Sequence, residues 1–517
     1  MVWRPSARPS RVGWRPVPAA RIGIAVFACL AVAGGMALWT APTPAAAAGT
    51  TWYVNSGPSG NDDHSCRTEQ KPCKTIHGAL RKASDGDTID IAAGTYAGGF
   101  TVDKSVSFRG AGAGQTVVTG TAPVVTITQG ARVTAADLSI SGGAGRAEEG
   151  GGILNEGTLA LLSTVISNNS VREDGGGIEN EGTLTVRGGA VTGNSAGRDG
   201  GGIHNAGTLS LSDTTVSGNV AENAGALWND FATTTVSNSV IAGNSAAGQG
   251  GGIYNYGTLR LENSTVEGNS GGMDGGGIES EQGAVVLGDS LVDANRAPFG
   301  RGGGLLLTGG NLAIEASTVS DNSARLGGGL YTLDSVAISN STLAGNSAAS
   351  GGGVYAFLSE TVLTLTSVTI SANAAKWEGG GIVVRNRHTT LLTNVLLAGN
   401  FLGGNSSSPG ADCTGNLTDG AGHNLVGVGN GCGLHDGIEG DRVGSSGAPI
   451  APLLGPLAGN GGPTPTMALE PGSPAIGNAD VPACESAPID DLDQRGLSRQ
   501  AASRNACDIG AYDTGGS

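Results

Sequence analysis

Gly250-Gly251-Gly252-Ile253-Tyr254-Asn255-Tyr256-Gly257-Thr258-Leu259-Arg260-Leu261, then Ser264-Thr265-Val266-Glu267-Gly268-Asn269, is the clearest copy of a unit that recurs through the chain. The glycine triplet or a close variant begins at Gly150, Gly175, Gly200, Gly250, Gly275, Gly302, Gly327, Gly351 and Gly379, with a worn copy at Ala224. Successive copies start 24 to 28 residues apart. A period of that size marks stacked repeats. Short runs that alternate apolar and other residues are strand patterns, and no copy has room for a helix beside them. The unit therefore predicts an all-β fold, a single-stranded right-handed parallel β-helix (β-solenoid). Each coil has three short strands, and isoleucine, leucine and valine stack inward. Ten regular coils fall within residues 150–402.

Asparagine follows the same period. Asn169, Asn194, Asn219, Asn244, Asn269, Asn295, Asn322, Asn346, Asn373 and Asn400 each stand where a strand meets a turn. Stacked at one height, their amides are expected to bond coil to coil, as amide ladders do in stacked sheets. A shorter series, Asn155, Asn180, Asn205, Asn229 and Asn255, reads the same way. Both series are structural expectations, because turn asparagines mostly satisfy local backbone.

Outside the repeats the chain changes character. Residues 1–48 have a basic start, an apolar run from Ile22 to Trp39 and the small-residue segment Ala45 to Ala48. This is the layout of a secretory signal peptide. Cleavage there removes five arginines and no acid, which moves the formal charge from −16 to −21. So acidic a surface repels phosphate backbones, so nucleic acid is not an expected partner. No second apolar run of that length follows, so no membrane span is expected after cleavage, and a secreted or loosely cell-surface-associated protein is. Six cysteines remain, as the local couples Cys66/Cys73, Cys413/Cys432 and Cys484/Cys507. An even count in an exported chain reads as disulfides, and local pairing is the simplest of the 15 connectivities. Residues 49–149 read as an N-terminal cap and irregular first coils. Within them 74–84 is a capping helix, with Ile76, Ala79, Leu80 and Ala83 on one face. Residues 403–517 read as a C-terminal domain.

Several segments carry a resemblance. Tyr53-Val54-Asn55, Pro72-Cys73-Lys74-Thr75-Ile76, Gly86-Asp87-Thr88-Ile89 and Ala93-Gly94-Thr95-Tyr96 resemble the start of secreted pectate-lyase-like β-helix proteins. The repeats resemble those of polymorphic outer-membrane proteins. Leu454-Gly455-Pro456-Leu457, Asn460-Gly461-Gly462-Pro463-Thr464-Pro465-Thr466, Gly472-Ser473-Pro474-Ala475-Ile476-Gly477, Asp493-Gln494-Arg495-Gly496 and Cys507-Asp508-Ile509-Gly510-Ala511-Tyr512 resemble the choice-of-anchor Q domain. That last resemblance implies a secreted or surface β-helix of unknown biochemical role. The chain departs from it at Met467, where the pattern has histidine. It also ends at Ser517 with no sorting motif, so covalent wall anchoring is not expected.

The fold hosts both polysaccharide-cleaving enzymes and non-enzymatic surface proteins, so function must be read from sites. The residues just before the triplets include Glu149, Asp174 and Asp199, about 5 Å apart when stacked. A solvated turn explains them; a calcium ion is the alternative, and no other cofactor is expected. In the Ile-x-Asn-x strand the x positions should face outward. There the sequence places His204, Trp228, Tyr254, Tyr256, Tyr331 and Tyr355, with Glu179, Asp230 and Glu281 nearby. They are expected to form an aromatic platform with polar tips, suited to a polysaccharide or cell-surface glycan; cross-strand stacking that merely supports the sheet is the competing reading. The expectation is a non-enzymatic binding or adhesion protein with no catalytic residues. The alternative is a polysaccharide lyase or glycoside hydrolase, with Arg385, Arg387 and His388 as candidate base and clamp.

Overall fold

The computed structural model describes residues 49–144, 149–357, 361–385, 389–405, 408, 410–499 and 506–516. Residues 1–48, read above as a signal peptide, and Arg387 and His388 lie outside them. The described chain is a parallel β-helix of about thirteen turns, with three strand rows and almost no helix. One row has thirteen strands, from Phe100–Val102 to Cys413–Thr414. A second has ten, from Ser170–Val171 to Phe401–Leu402. The third and largest sheet has 27 strands, because its coils bend midway. The bend falls on a residue of positive φ, such as Asn238 (48°) or Asn263 (46°), whose side chains tolerate the left-handed region. Ten strands of the thirteen-stranded row fall within 150–402, as expected for the regular coils, and the further turns before residue 150 and after 402 stack without the glycine triplet.

The repeat explains the coil. The first glycine of each triplet is left-handed, for example Gly175 at φ 67°. At the second the neighbouring coil passes too close for any side chain, and a Cβ on Gly176 would stand 2.4 Å from the Gly201 carbonyl oxygen. The next residue turns inward. Ile153, Ile178, Ile203, Leu227 and Ile253 follow one another in register, each no more than 1% exposed. Burying each such side chain contributes about 1.5–3 kcal/mol.

The asparagine ladder forms as expected. Asn169 Nδ2 donates to Asn194 Oδ1 at 2.9 Å, and the pattern continues rung by rung to Asn373 and Asn400 at 3.0 Å. Its last rung was not foreseen. The Asn400 backbone N–H and Nδ2 both donate to Asp412 Oδ1, at 3.0 and 2.9 Å. In the shorter series Asn155 donates to Asn180 and Asn180 to Asn205, both at 2.6 Å.

The helix Ile76–Lys82 closes the N-terminal end. Thr75 caps it, accepting the Gly78 N–H at 2.9 Å, and Ile76, Ala79 and Leu80 bury against the first coils. At the other end Leu417, Cys432 and Leu434 finish the same core. The segment beyond then folds back along the largest sheet: Gln494 Nε2 donates to Thr318 Oγ1, and the buried Arg499 donates to Asn340 Oδ1. A second short helix, Val481–Glu485, lies here. All three local disulfides are present: Cys66–Cys73, Cys413–Cys432 and Cys484–Cys507. Peptide mapping without reductant should recover those pairs, and pairs between groups would contradict the fold.

Candidate functional site

The outward side of the thirteen-stranded sheet begins with its register. His204, Trp228 and Tyr254 are consecutive partners on neighbouring coils; Tyr331 and Tyr355 are partners further along. Glu279 and Leu306 stand between the two groups, so the six aromatics form two clusters rather than one strip. The rings stack face to face. Trp228 and Tyr254 lie 4.4 Å apart at 5°, and Tyr331 and Tyr355 5.4 Å apart at 6°.

This corrects the open-platform expectation. Rings stacked along the shaft spend their faces on each other. Tyr254 is 1% exposed and Tyr331 6%. The glycine turn presses on the row as well, since a Cβ on Gly250 would stand 2.9 Å from the Tyr254 Cβ. His204, Trp228 and Tyr355 stay half-buried, and further rings reach solvent from the second row. Tyr254 donates its hydroxyl to Tyr256 at 3.3 Å, and Tyr256 donates to Glu281 at 2.7 Å. Phe231 stacks on Tyr256 at 5.4 Å and is 74% exposed. Sequence reading missed Phe231, which sits two residues past the asparagine, outside the repeat alternation.

The acidic row is also rearranged. Arg198 donates to Asp174 and, at 3.2 Å, to Glu173, and lies 3.5 Å from Asp199. Ligand atoms of Glu149, Glu173 and Asp174 lie within 4.8 Å of one another, whereas Asp199 turns to Asn223, 3.0 Å away. Asp199 therefore leaves the expected trio and Glu173 replaces it. Further along, Arg301 pairs with Asp274 at 2.8 Å and lies over the Tyr331 ring, 5.2 Å from its centroid. Arg385 pairs with Glu378.

Two carboxyls are buried on this face, Glu279 and the Glu179 that the sequence places beside the aromatics. Glu179 bonds His204 Nδ1 at 2.7 Å. Burial pushes the Glu179 carboxyl up, and His204 is also held above its usual value, because the bond and charge of Glu179 outweigh the opposing effect of burial. Glu279 is 1% exposed, and burial, reinforced by the charges of Asp274 and Glu281, pushes it to about 8 against the Gly250 N–H bond.

A carboxyl whose folded pKa exceeds its unfolded one favours folding in its protonated form. Stability is then full below about 4.5 and falls as pH rises towards 8. The slope is up to about 1.4 kcal/mol per pH unit. Glu279→Gln is expected to match the parent protein near pH 4.5 and exceed it by about 2–4 kcal/mol at pH 8. Urea unfolding across that range checks it; parallel pH curves would contradict it.

A cleft of about 280 Å³ opens where the ten-stranded sheet turns into the triplet, lined by Met273, Asp274, Phe299, Gly300, Arg301, Arg325 and Leu326. Phe299 is 80% exposed, and Trp377, on a later coil of the same sheet, 60%. Both lie in copies with long steps, 27 and 28 residues, where extra residues bulge from the register. Those step lengths were the available signal.

The family model described as a right handed beta helix region matches residues 224–414. No curated protein matches. Among solved structures, the pectate lyase Pel9A is 14% identical, with 90% of this chain and 96% of that chain covered and a TM-score of 0.33. XylC in complex with xylose is 10% identical, covering 90% and 98%, with a TM-score of 0.45. The catalytic domain of a GH87 alpha-1,3-glucanase in complex with tetrasaccharides is 14% identical, covering 72% and 68%, with a TM-score of 0.35.

Proposed function

We propose that this protein is an exported, non-enzymatic β-helix that binds glycans or glycan-bearing cell surfaces along the outward side of its thirteen-stranded sheet. The observation that carries this reading is the Phe231–Tyr256–Glu281 group. It offers an exposed aromatic ring beside a phenol and a carboxylate already linked by a hydrogen bond. Apolar ring faces next to fixed polar groups suit the two-sided chemistry of a sugar. Three carboxylates of this face are tied to partners, Asp274 to Arg301, Glu378 to Arg385 and Glu281 to Tyr256, which favours holding a ligand over cutting one. The negative charge disfavours polyanionic glycans. Export is supported by three disulfides and the N-terminal segment, and surface association by the choice-of-anchor resemblance. Among the described residues no helix is long and apolar enough to cross a membrane.

A glycan array probed with the exported chain tests this. Phe231→Ala combined with Glu281→Gln should abolish retention on the matching glycan while the melting temperature falls by only a few degrees. Unchanged retention would move the site elsewhere. One observation favours the hydrolase or lyase reading. Glu279 keeps its proton at neutral pH, as a general acid must. Its burial keeps it from a ligand unless the face opens. Sugar release from a polysaccharide, lost in Glu279→Gln, would replace the binding reading.

A further inference from the structure

We propose that the edge where the ten-stranded sheet turns into the glycine triplets binds a second copy of this chain, antiparallel to the first. The starting observation is the cleft at Met273, Phe299 and Arg325. Met273 is 62% exposed and Phe299 80%, two apolar side chains in the open on neighbouring coils. Arg325, one coil further, is exposed and pairs with no carboxylate among the described residues. Aromatic, methionine and arginine side chains are what the centres of protein interfaces concentrate. A guanidinium without a mate calls for an acidic one.

Charge along the same edge says which partner fits. Backbone hydrogen bonds join Arg198 to Glu173, Gly248 to Glu222 and Met273 to Gly248, and Arg301 is in register with Leu326. One residue per coil therefore lines up as Glu173, Arg198, Glu222, Gly248, Met273, Gly300 and Arg325. Gly248 is the midpoint: Glu173 lies three coils before it and Arg325 three coils after, each about 14 Å away. Before Gly248 the edge carries Glu149, Glu173, Asp174, Asp199 and Glu222 against Arg172 and Arg198. Beyond it, Arg301, Arg325 and Lys376 stand against Asp274 and Glu378. The chain as a whole is acidic, at −16, so copies repel unless unlike charges meet. A two-fold axis through Gly248 makes them meet twice, setting each Arg325 on the partner's Glu173. It also brings each Phe299 to the partner's Arg198, whose guanidinium can lie on the ring. A two-fold contact must be self-complementary, and opposite charges at equal distances from a neutral centre have that property. Ala247, Gly248 and Gln249, at the axis, carry no charge to repel their own copies. This inference is independent of the glycan reading.

Sedimentation velocity of the full exported chain over a concentration series tests it, with melting temperature as the check that each variant folds. The parent should form dimers that weaken as salt rises. Arg325→Glu and Glu173→Arg should each weaken the dimer by about tenfold or more, as should Phe299→Ser. Arg325→Glu combined with Glu173→Arg should recover most of that loss, because the two-fold axis makes each reversed charge the mate of the other. A chain that stays monomeric at its highest soluble concentration overturns the proposal. So does a dimer untouched by Arg325→Glu, or a double variant no better than the single ones. A monomeric chain held on a glycan array through Phe299 gives the cleft to sugar and overturns it too. If Glu173→Arg fails to fold, salt and Arg325→Glu decide: a dimer weakened by both supports the contact, and one unmoved by either overturns it.

Discussion

Ile178→Asp is expected to unfold the middle of the coil stack at room temperature. Ile178 is 0% exposed and sits in register between Ile153 and Ile203, so its side chain touches the coil on either side. The substitution removes about 2–3 kcal/mol of apolar burial. It also places a carboxylate between Ile153 and Ile203 in the apolar core. Together these exceed about 4–5 kcal/mol, the range reserved for an unpaired buried charge. In a stack where each coil leans only on its neighbours, damage splits the column rather than spreading evenly. Limited proteolysis should therefore cut near coils 153–205 first, and circular dichroism should lose strand signal in part. Ile178→Val, which keeps the shape, should cost only about 0.5–1.5 kcal/mol. An Ile178→Asp protein with the parent's melting temperature and protease resistance would show that this row is not the core.

The coil itself was legible because each of its parts has one physical reason to recur. A glycine is required at φ 67° at Gly175, an apolar residue at Ile178, and an amide at Asn194. The site was less legible. Alternation tells which face a residue takes but not what covers it. Tyr254 does point away from the core, yet Trp228 above and the glycine turn beside it leave it 1% exposed. The acidic row misled for a similar reason. Asp174 and Asp199 do stack on adjacent coils, but Arg198, one residue off the row, reaches across both. Phe299 and Trp377 escaped because they belong to bulges, where the period that made everything else readable is broken.

Asn219→Asp and Asp412→Asn are expected to differ sharply, although each exchanges the same two groups. Asn219 uses both ends of its amide. Its Oδ1 accepts the Asn194 backbone N–H at 2.9 Å and Asn194 Nδ2 at 3.0 Å. Its Nδ2 donates to Asn244 Oδ1 and to the Val191 carbonyl, both at 3.0 Å. An aspartate there still accepts from Asn194 but turns an oxygen on two acceptors, with its charge fully buried. About 3–5 kcal/mol should be lost, or the group should take up a proton, making the loss smaller in acid. Asn219→Ala should cost a similar amount by leaving several buried partners unpaired. Asp412 faces only donors: two from Asn400, and the Val428 N–H at 2.7 Å on its other oxygen. The ladder runs donor to acceptor along the chain, so its final rung has N–H groups to receive and nothing beyond to give to. An asparagine at 412 keeps the Asn400 bonds and sets one amide nitrogen against the Val428 N–H, a loss of about 1–3 kcal/mol. Urea unfolding at neutral pH separates the cases. If Asn219→Asp were no more damaging than Asp412→Asn, the one-way polarity of the ladder would not be what holds its rungs.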